Sequence, residues 1–264
     1  MYDTTYYRAS SVSDATSKLA GTEDGKFLAG GQTLIPTMKQ RLAAPSDLVD
    51  VSGIDALKNI SVDGDTVTIG AACTHAQVAG SSEVAQAIPA LVSLASGIGD
   101  PAVRARGTIG GSIANNDPAA DYPAACLGLG ATIVTDSREV PADEFFVGMF
   151  ETALEEGEMV TAVKFPKPAK AGYAKFPNPA SRYAMVGVMA AQTANGVRVA
   201  VTGAGNDGVF RHSALEEALG ANWSADAAQG VSTDAADMMA DIHGSSEYRA
   251  HLVGVMAGRA VDNS

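Results

Sequence analysis

The chain has 264 residues, 46% of them hydrophobic and 18% charged, with a formal net charge of −12. This length fits two ordinary domains or one with an addition, and the apolar share is ample for a core, which excludes a disordered chain. The acidity argues against nucleic acid, whose phosphates call for clustered Lys and Arg.

No apolar run approaches the ~20 residues of a membrane span, and the polar start Met1 to Ser10 has no signal-peptide core. A cytoplasmic protein is predicted, with any membrane contact peripheral.

In chain order, Ser13 to Gly21 has helical spacing, with Ser13 as N-cap and Gly21 closing it. Lys26 to Ala29 reads as a strand running into Gly30 and Gly31, giving the order helix, strand, glycine loop. Leu48 to Val51 and the alternating Thr66 to Ala72 read as strands. Gln77 to Ser96 reads as helical, with Pro89 ending or kinking it near its middle. Gly97 to Asn116, rich in glycine and turn residues, is expected to form an ordered binding loop. Ala131 to Thr135 and Met159 to Phe165 are expected strands, with Phe145, Phe146, Met149 and Phe150 as an apolar cluster near a turn between them.

The main boundary falls at the linker Pro166 to Gly172. Beyond it, Met185 to Thr193 and Val197 to Thr202 read as a hairpin about Asn195-Gly196. Leu215 to Leu219, Asp234 to Ile242 and Ser246 to Val261 read as helices.

Two cysteines, Cys73 and Cys126, make neither a disulfide framework nor an iron–sulfur site, and both read as buried thiols. None of His75, His212, His243 and His251 forms a zinc motif. Cys73 and His75 would share one face of a strand, but two ligands make no site, so no metal is expected. Gly203 to Gly208 fits a dinucleotide fingerprint, yet no second parallel strand follows and the preceding strand belongs to the hairpin, so it reads as a turn. The sequon Asn222-Trp223-Ser224 reads as chance. With no nucleophile elbow and no Walker A sequence, no side chain is assigned a catalytic role.

Two glycine loops carry the functional signal. Ala29-Gly30-Gly31-Gln32-Thr33-Leu34-Ile35-Pro36 and Gly107-Thr108-Ile109-Gly110-Gly111-Ser112 each pair adjacent glycines with a hydroxyl residue and strand-forming neighbours. Such loops let backbone amides lie against phosphate oxygens. Asn115, Asn116, Asp117, Pro118 and Asp121 follow the second loop and suit sugar-like hydroxyls. A lysine-free loop suits a pyrophosphate stabilised by amide dipoles. The residues by themselves indicate a nucleotide-type cofactor.

At these residues the chain resembles the FAD-binding medium subunits of molybdenum hydroxylases, typified by carbon monoxide dehydrogenase and related to the flavin domain of xanthine dehydrogenase. The resemblance runs from Phe27 to Pro36 through Lys39, Arg41 and Leu42, then Arg106 to Ser112, Asp117 to Asp121, Phe145, Phe146, Thr152 and Glu158. It continues in Ser181 to Val188 and in Tyr248, Arg249, His251, Leu252, Arg259 and Ala260.

The resemblance implies an α+β fold of the vanillyl-alcohol-oxidase type, related to p-cresol methylhydroxylase. Two α+β FAD-binding subdomains, 1–57 and 58–167, would precede a C-terminal α+β domain, 168–264, with a small antiparallel sheet and helices. Pyrophosphate would sit on Ala29 to Leu34, with Gly107 to Gly111 as the second FAD loop. Ala114 would join the site, and Asn115, Asp117 and Asp121 would face the ribityl and flavin side. Met159 and Val160 would contact the ring, Lys175 would lie nearby, and Tyr183 would control access to one face.

Gln32 stands where several relatives carry histidine, and Thr33 where serine is common; both keep donor capacity. Asn115 and Asn116 also depart from the pattern, at positions able to tune the flavin potential.

The function so implied is an oxidoreductase subunit. It would pass electrons from [2Fe–2S] clusters of a small partner through FAD to an external acceptor, while a large molybdopterin-containing partner oxidises the substrate. A dimer of heterotrimers is the expected assembly. A self-contained flavin oxidase or reductase and a flavin-free assembly module stand as alternatives. Carbon monoxide, an aldehyde, a purine or an N-heterocycle all fit as substrate, carbon monoxide having the nearest resemblance, and quinone, NAD or oxygen fit as acceptor.

Overall fold

A computed structural model describes all of residues 1–264. The first unit runs β1 (Thr5–Arg8), α1 (Val12–Ala20), β2 (Gly25–Leu28), α2 (Leu34–Lys39) and β3 (Asp47–Asp50), its strands forming a parallel sheet in the order β1-β3-β2. Parallel neighbours need crossovers, which the helices supply. Ala15 of α1 joins Val49, Ile54 and Leu57 in a small core. The N-cap of α1 is Ser11 rather than Ser13: the Asp14 amide donates to Ser11 Oγ at 3.1 Å, placing Ser13 inside the first turn.

The second unit is built on the strands β4 (Ile60–Asp63), β5 (Thr66–Gly70), β6 (Thr132–Thr135) and β7 (Glu139–Pro141), a small hairpin β8 (Phe146–Gly148) and β9 (Glu151–Thr152), and β10 (Val160–Pro166). Its main sheet is antiparallel in the order β4-β5-β10-β6-β7. Seven helices accompany it: α3 (His75–Gly80), α4 (Ser82–Ala87), α5 (Pro89–Ser96), α6 (Pro101–Arg104), α7 (Ile109–Asn115), α8 (Tyr122–Leu129) and α9 (Ala142–Phe145).

The third unit has the strands β11 (Lys170–Pro177), β12 (Ala184–Thr193), β13 (Gly196–Gly205) and β14 (Gly208–Arg211) in a sequential antiparallel sheet, then α10 (Ser213–Ala221), α11 (Ala225–Gln229) and α12 (Ser246–Asp262). α8 of the second unit is buried along its whole length and packs on β12 and β13, while α12 also packs on β11 and β12. Eight consecutive residues of β12, Ala184 to Ala191, are therefore buried, the continuous apolar pattern of a strand covered on both faces. Fully buried Phe145 and Phe165 each contribute roughly 1.5–3 kcal/mol of burial energy.

Several sequence expectations are corrected. The single helix Gln77 to Ser96 is three helices: Ser81 Oγ caps α4 by accepting from the Val84 amide at 3.2 Å, and Pro89 opens α5 instead of kinking it. Gly97 to Asn116 is largely helical, because Asp100 caps α6 (Val103 N–H to Oδ1, 2.9 Å) and Thr108 caps α7 (Gly111 N–H to Oγ1, 3.2 Å). Side-chain caps of this kind offset weak helix propensity.

Phe145 and Phe146 pack edge-on at 5.1 Å, but Met149 and Phe150 are exposed at the hairpin tip, so the four form no single cluster. Asp234 to Ile242 holds only a 3-10 turn, Ala235–Asp237; Met238 alone is buried there, which leaves no apolar face to hold a longer helix. The linker shrinks to Lys167–Ala169, since β11 begins at Lys170. Cys73 and His75 share no strand: β5 ends at Gly70 and His75 opens α3. No group of His, Cys, Asp and Glu gathers as metal ligands would.

Candidate functional site

A cleft of about 630 Å³ opens between the first two units, with Ser181, Arg182 and Tyr183 of the third at its rim. That is within the range of small-molecule sites. The first loop follows β2, and its residues Ala29 to Leu34 all line the cleft. Gly31 has φ +70°, a left-handed conformation that suits glycine. The backbone amides of Gly30, Gly31, Gln32 and Thr33 donate to no protein acceptor, so this wall offers a row of free donors in a lysine-free loop. Buried or half-buried amides require a partner, and a pyrophosphate is a fitting one.

The second loop works differently. Gly107, Thr108, Gly110 and Gly111 reach the cleft wall, whereas Ile109 is fully buried in the core and does not line it. The amides of Ile109 and Gly110 are taken by the carbonyls of Cys73 (3.1 Å) and Ala71 (2.9 Å), and that of Gly111 by Thr108 Oγ1. A Cβ on Gly110 would stand 2.5 Å from that of Ala71. Of this loop's amides only that of Thr108 is left free, so it mainly shapes the cleft while the first loop supplies the row of donors, a difference that the matched glycine pairs do not reveal.

Ala114, Asn115, Asp117 and Asp121 continue the wall, and Met159 and Val160 close it from the start of β10. Asn116 is buried with φ +43° and turns away, its amide nitrogen donating to Gly148 O and Glu151 O at 2.8 and 2.9 Å. It anchors the β8–β9 hairpin. Lys175 does not line the cleft; its Nζ lies 2.9 Å from Asp121 Oδ1 and donates to Gly97 O. At the rim, Asn178 Oδ1 accepts from the amides of Ala180 and Ser181, and Arg182 takes φ +63°, which presents the half-exposed Tyr183.

His75 and Glu158 are two of the cleft residues to which the sequence assigns no site role. His75 is buried against Tyr122, with ring centroids 5.4 Å apart, and its Nδ1 has no protein partner. Burial first, and the Arg104 charge second, pull its pKa down to about 4, so the ring is neutral. Glu158 is held by two Arg138 nitrogens at 2.9 Å and by the Glu155 amide, which keep its pKa at about 2. Burial raises the pKa values of Asp117 and Asp121. No local motif marks His75 or Glu158, since the partners that define them lie far away in sequence.

Free amides, acceptors from Asn115, Asp117 and Asp121, and apolar surface from Val51, Leu57 and Ile98 suit a pyrophosphate, a polyhydroxyl chain and flat rings in turn. The class so defined is an α+β dinucleotide-binding protein whose cleft fits FAD.

Comparison with known proteins narrows this. Residues 2–168 match the FAD binding domain in molybdopterin dehydrogenase, and residues 171–264 match the CO dehydrogenase flavoprotein C-terminal domain. The nicotine 6-hydroxylase medium subunit of Paenarthrobacter nicotinovorans is 35% identical, over 97% of this chain and 95% of the relative. The carbon monoxide dehydrogenase medium chain of Hydrogenophaga pseudoflava is 33% identical, again over 97% and 95%. Among solved structures, reconstituted CO dehydrogenase from Oligotropha carboxidovorans superposes with a TM-score of 0.89 at 32% identity, over 99% of this chain and 97% of the other.

The chain belongs to the FAD-binding medium subunits of the molybdenum hydroxylases, with their vanillyl-alcohol-oxidase-type fold, and is an oxidoreductase subunit. No helix is long and apolar enough to cross a membrane.

Proposed function

We propose that this chain holds FAD in the cleft between its first two units and relays electrons from [2Fe–2S] clusters of a small partner subunit to an external acceptor. A large molybdopterin-containing partner oxidises the substrate, and the subunits assemble as a dimer of heterotrimers. The observation that carries this reading is the row of free amides from Gly30 to Thr33, in a loop without lysine, beside an apolar-walled cleft.

Bound FAD supplies the redox chemistry. The chain supplies binding and orientation. Gly30 to Thr33 take the pyrophosphate, Gln32 and Thr33 add side-chain donors, and the backbone of Gly107 to Gly111 sets the width of the cleft. Asn115, Asp117 and Asp121 hold the ribityl side, Met159 and Val160 contact the ring, and Tyr183 screens one face. Lys175 acts through Asp121. Residues 1–57 and 58–167 form the two FAD-binding halves, and 168–264 the domain that presents Tyr183.

Relatives of nearly equal identity carry the names of a nicotine hydroxylase and a carbon monoxide dehydrogenase. That similarity across unlike substrates suits a subunit that never touches the substrate.

The test is to purify the full chain, titrate it with FAD by flavin absorbance and fluorescence, and pull down its partners from the native host. Stoichiometric FAD together with molybdopterin and iron–sulfur subunits is expected. A chain that stays colourless after reconstitution overturns the reading. Turnover of a reducing substrate by the isolated flavoprotein would make it a self-contained oxidase or reductase.

A further inference from the structure

Asp121, Tyr173 and Lys175 form a buried cluster between the cleft and a separate hollow of about 400 Å³. Asp121 lines the first space; Tyr173 and Lys175 line the second. The side chains of Asp121 and Lys175 are 4% and 9% exposed. The Tyr173 hydroxyl donates to Asp121 Oδ1 at 2.5 Å, and Lys175 Nζ lies 2.9 Å from Oδ1 and 3.2 Å from Oδ2. Gly187 makes room for that hydroxyl, since a Cβ there would overlap it.

Other titratable groups surround the cluster: Asp117 on the same loop, Tyr122 at the start of α8, Tyr183 at the rim, and Arg259 and Asp262 of α12 on the hollow. An ion pair buried this deeply is weak as a source of stability, because desolvation offsets most of its attraction. Its position is the informative feature: one carboxylate faces the cofactor space, and the partners of that carboxylate face the hollow.

We propose that Asp121, Tyr173 and Lys175 are a proton-loading site, in which Asp121 takes up a proton from the hollow when electrons reach bound FAD. The proposal rests on the FAD reading above. Negative charge added to a cleft of low dielectric is costly, and protonation of a neighbouring carboxylate cancels it. An N–H bond of Lys175 breaks as an O–H bond forms on Asp121, and Nζ regains its proton from water in the hollow. The net change is one proton gained by Asp121. No electron passes through the three side chains; the reductant that serves the flavin supplies the electrons. Tyr173 keeps its hydrogen bond to the carboxyl oxygen throughout and fixes its orientation.

The test uses the full chain reconstituted with FAD and reduced at an electrode, read by difference infrared spectroscopy and by the midpoint potential as a function of pH. In the wild type, a carboxylic-acid C=O band is expected to appear on reduction. Asp121→Asn should lose that band and show a weaker dependence of potential on pH. Lys175→Met should bind FAD yet show no new band, because without its counter-charge Asp121 is already protonated before reduction. Tyr173→Phe should keep the band but shift it.

A wild type that binds FAD and develops no such band overturns the proton-loading site and leaves FAD binding intact. A band that persists in Asp121→Asn, or that still appears in Lys175→Met, overturns it equally. Failure of the wild type to bind FAD at all overturns the FAD reading instead, and the proposal with it.

Discussion

Gly30 and Arg106 touch backbone to backbone: a Cβ built on Gly30 would overlap the carbonyl oxygen of Arg106. The two glycine loops are thereby locked together at the mouth of the cleft. Gly30 serves close packing, while Gly31 beside it serves a positive φ.

Gly30→Ala must push the loops apart. Overpacking of this kind costs about 1–3 kcal/mol, and FAD affinity should fall with it. Urea denaturation and FAD titration measure the two effects. Gly80→Ala, at the exposed end of α3 where a Cβ meets open space, is the control and should leave FAD affinity unchanged and stability unchanged or raised by up to about 1 kcal/mol.

His75 makes stability depend on pH. Its pKa is lowered from 6.5 to about 4 in the folded state, so the unfolded chain binds the proton more readily. The favourable contribution is complete above 6.5 and is lost as pH falls through that value towards 4, to an extent on the order of 3 kcal/mol. Denaturation curves at pH 7 and pH 4.5 should converge less for the wild type than for His75→Gln. Equal pH dependence in the two proteins would sink the assignment.

Glu158 loses its contribution in the same direction over a more acid range. Its pKa is lowered from 4.5 to about 2, so the stabilisation from Arg138 is present above 4.5 and fades as pH falls towards 2. Arg138→Met should lower stability at pH 7, because it removes two hydrogen-bond donors from the Glu158 carboxylate. The deficit should shrink in acid, as thermal unfolding at pH 7 and pH 3.5 would reveal.

Arg249 supports the cleft from a distance. Its guanidinium donates to Met185 O and Gly203 O at 2.7 and 2.6 Å and pairs with Asp241. The strands held in this way bond the loop from Pro118 to Ala120: the Gly203 amide donates to Pro118 O at 2.8 Å and Thr202 Oγ1 to Ala120 O at 2.7 Å. Arg249→Met should destabilise by about 1–3 kcal/mol, because it leaves the carbonyls of Met185 and Gly203 without their buried donor, and should weaken FAD binding. Asp241→Asn, at a half-exposed carboxylate, should do much less. Urea denaturation and FAD titration of both variants decide the point.

Much of the architecture was legible where local chemistry is strong. The Asn195-Gly196 turn, the alternation of Thr66 to Ala72 and the spacing of Ser246 to Val261 each correspond to an observed hairpin, strand or helix. α8 was not legible: its residues Tyr122 to Leu129 are buried throughout, and a segment apolar on every side shows no period. β11 was hidden in what reads as a Pro- and Lys-containing linker, because its pairing with β12 is long-range.

Glycine pairs and their polar neighbours carry their signal locally, so the two loops and a nucleotide-type cofactor were legible from the residues themselves, while the family and FAD rested on a resemblance that runs along nearly the whole chain. The tertiary structure alone decided that the first loop holds free amides while those of Ile109, Gly110 and Gly111 in the second are bonded, that Ile109 lies in the core, and that Lys175 serves Asp121 from behind the wall. The physical reason is that hydrogen-bond satisfaction and desolvation depend on partners such as Ala71 and Cys73, which only folding brings against Gly110 and Ile109.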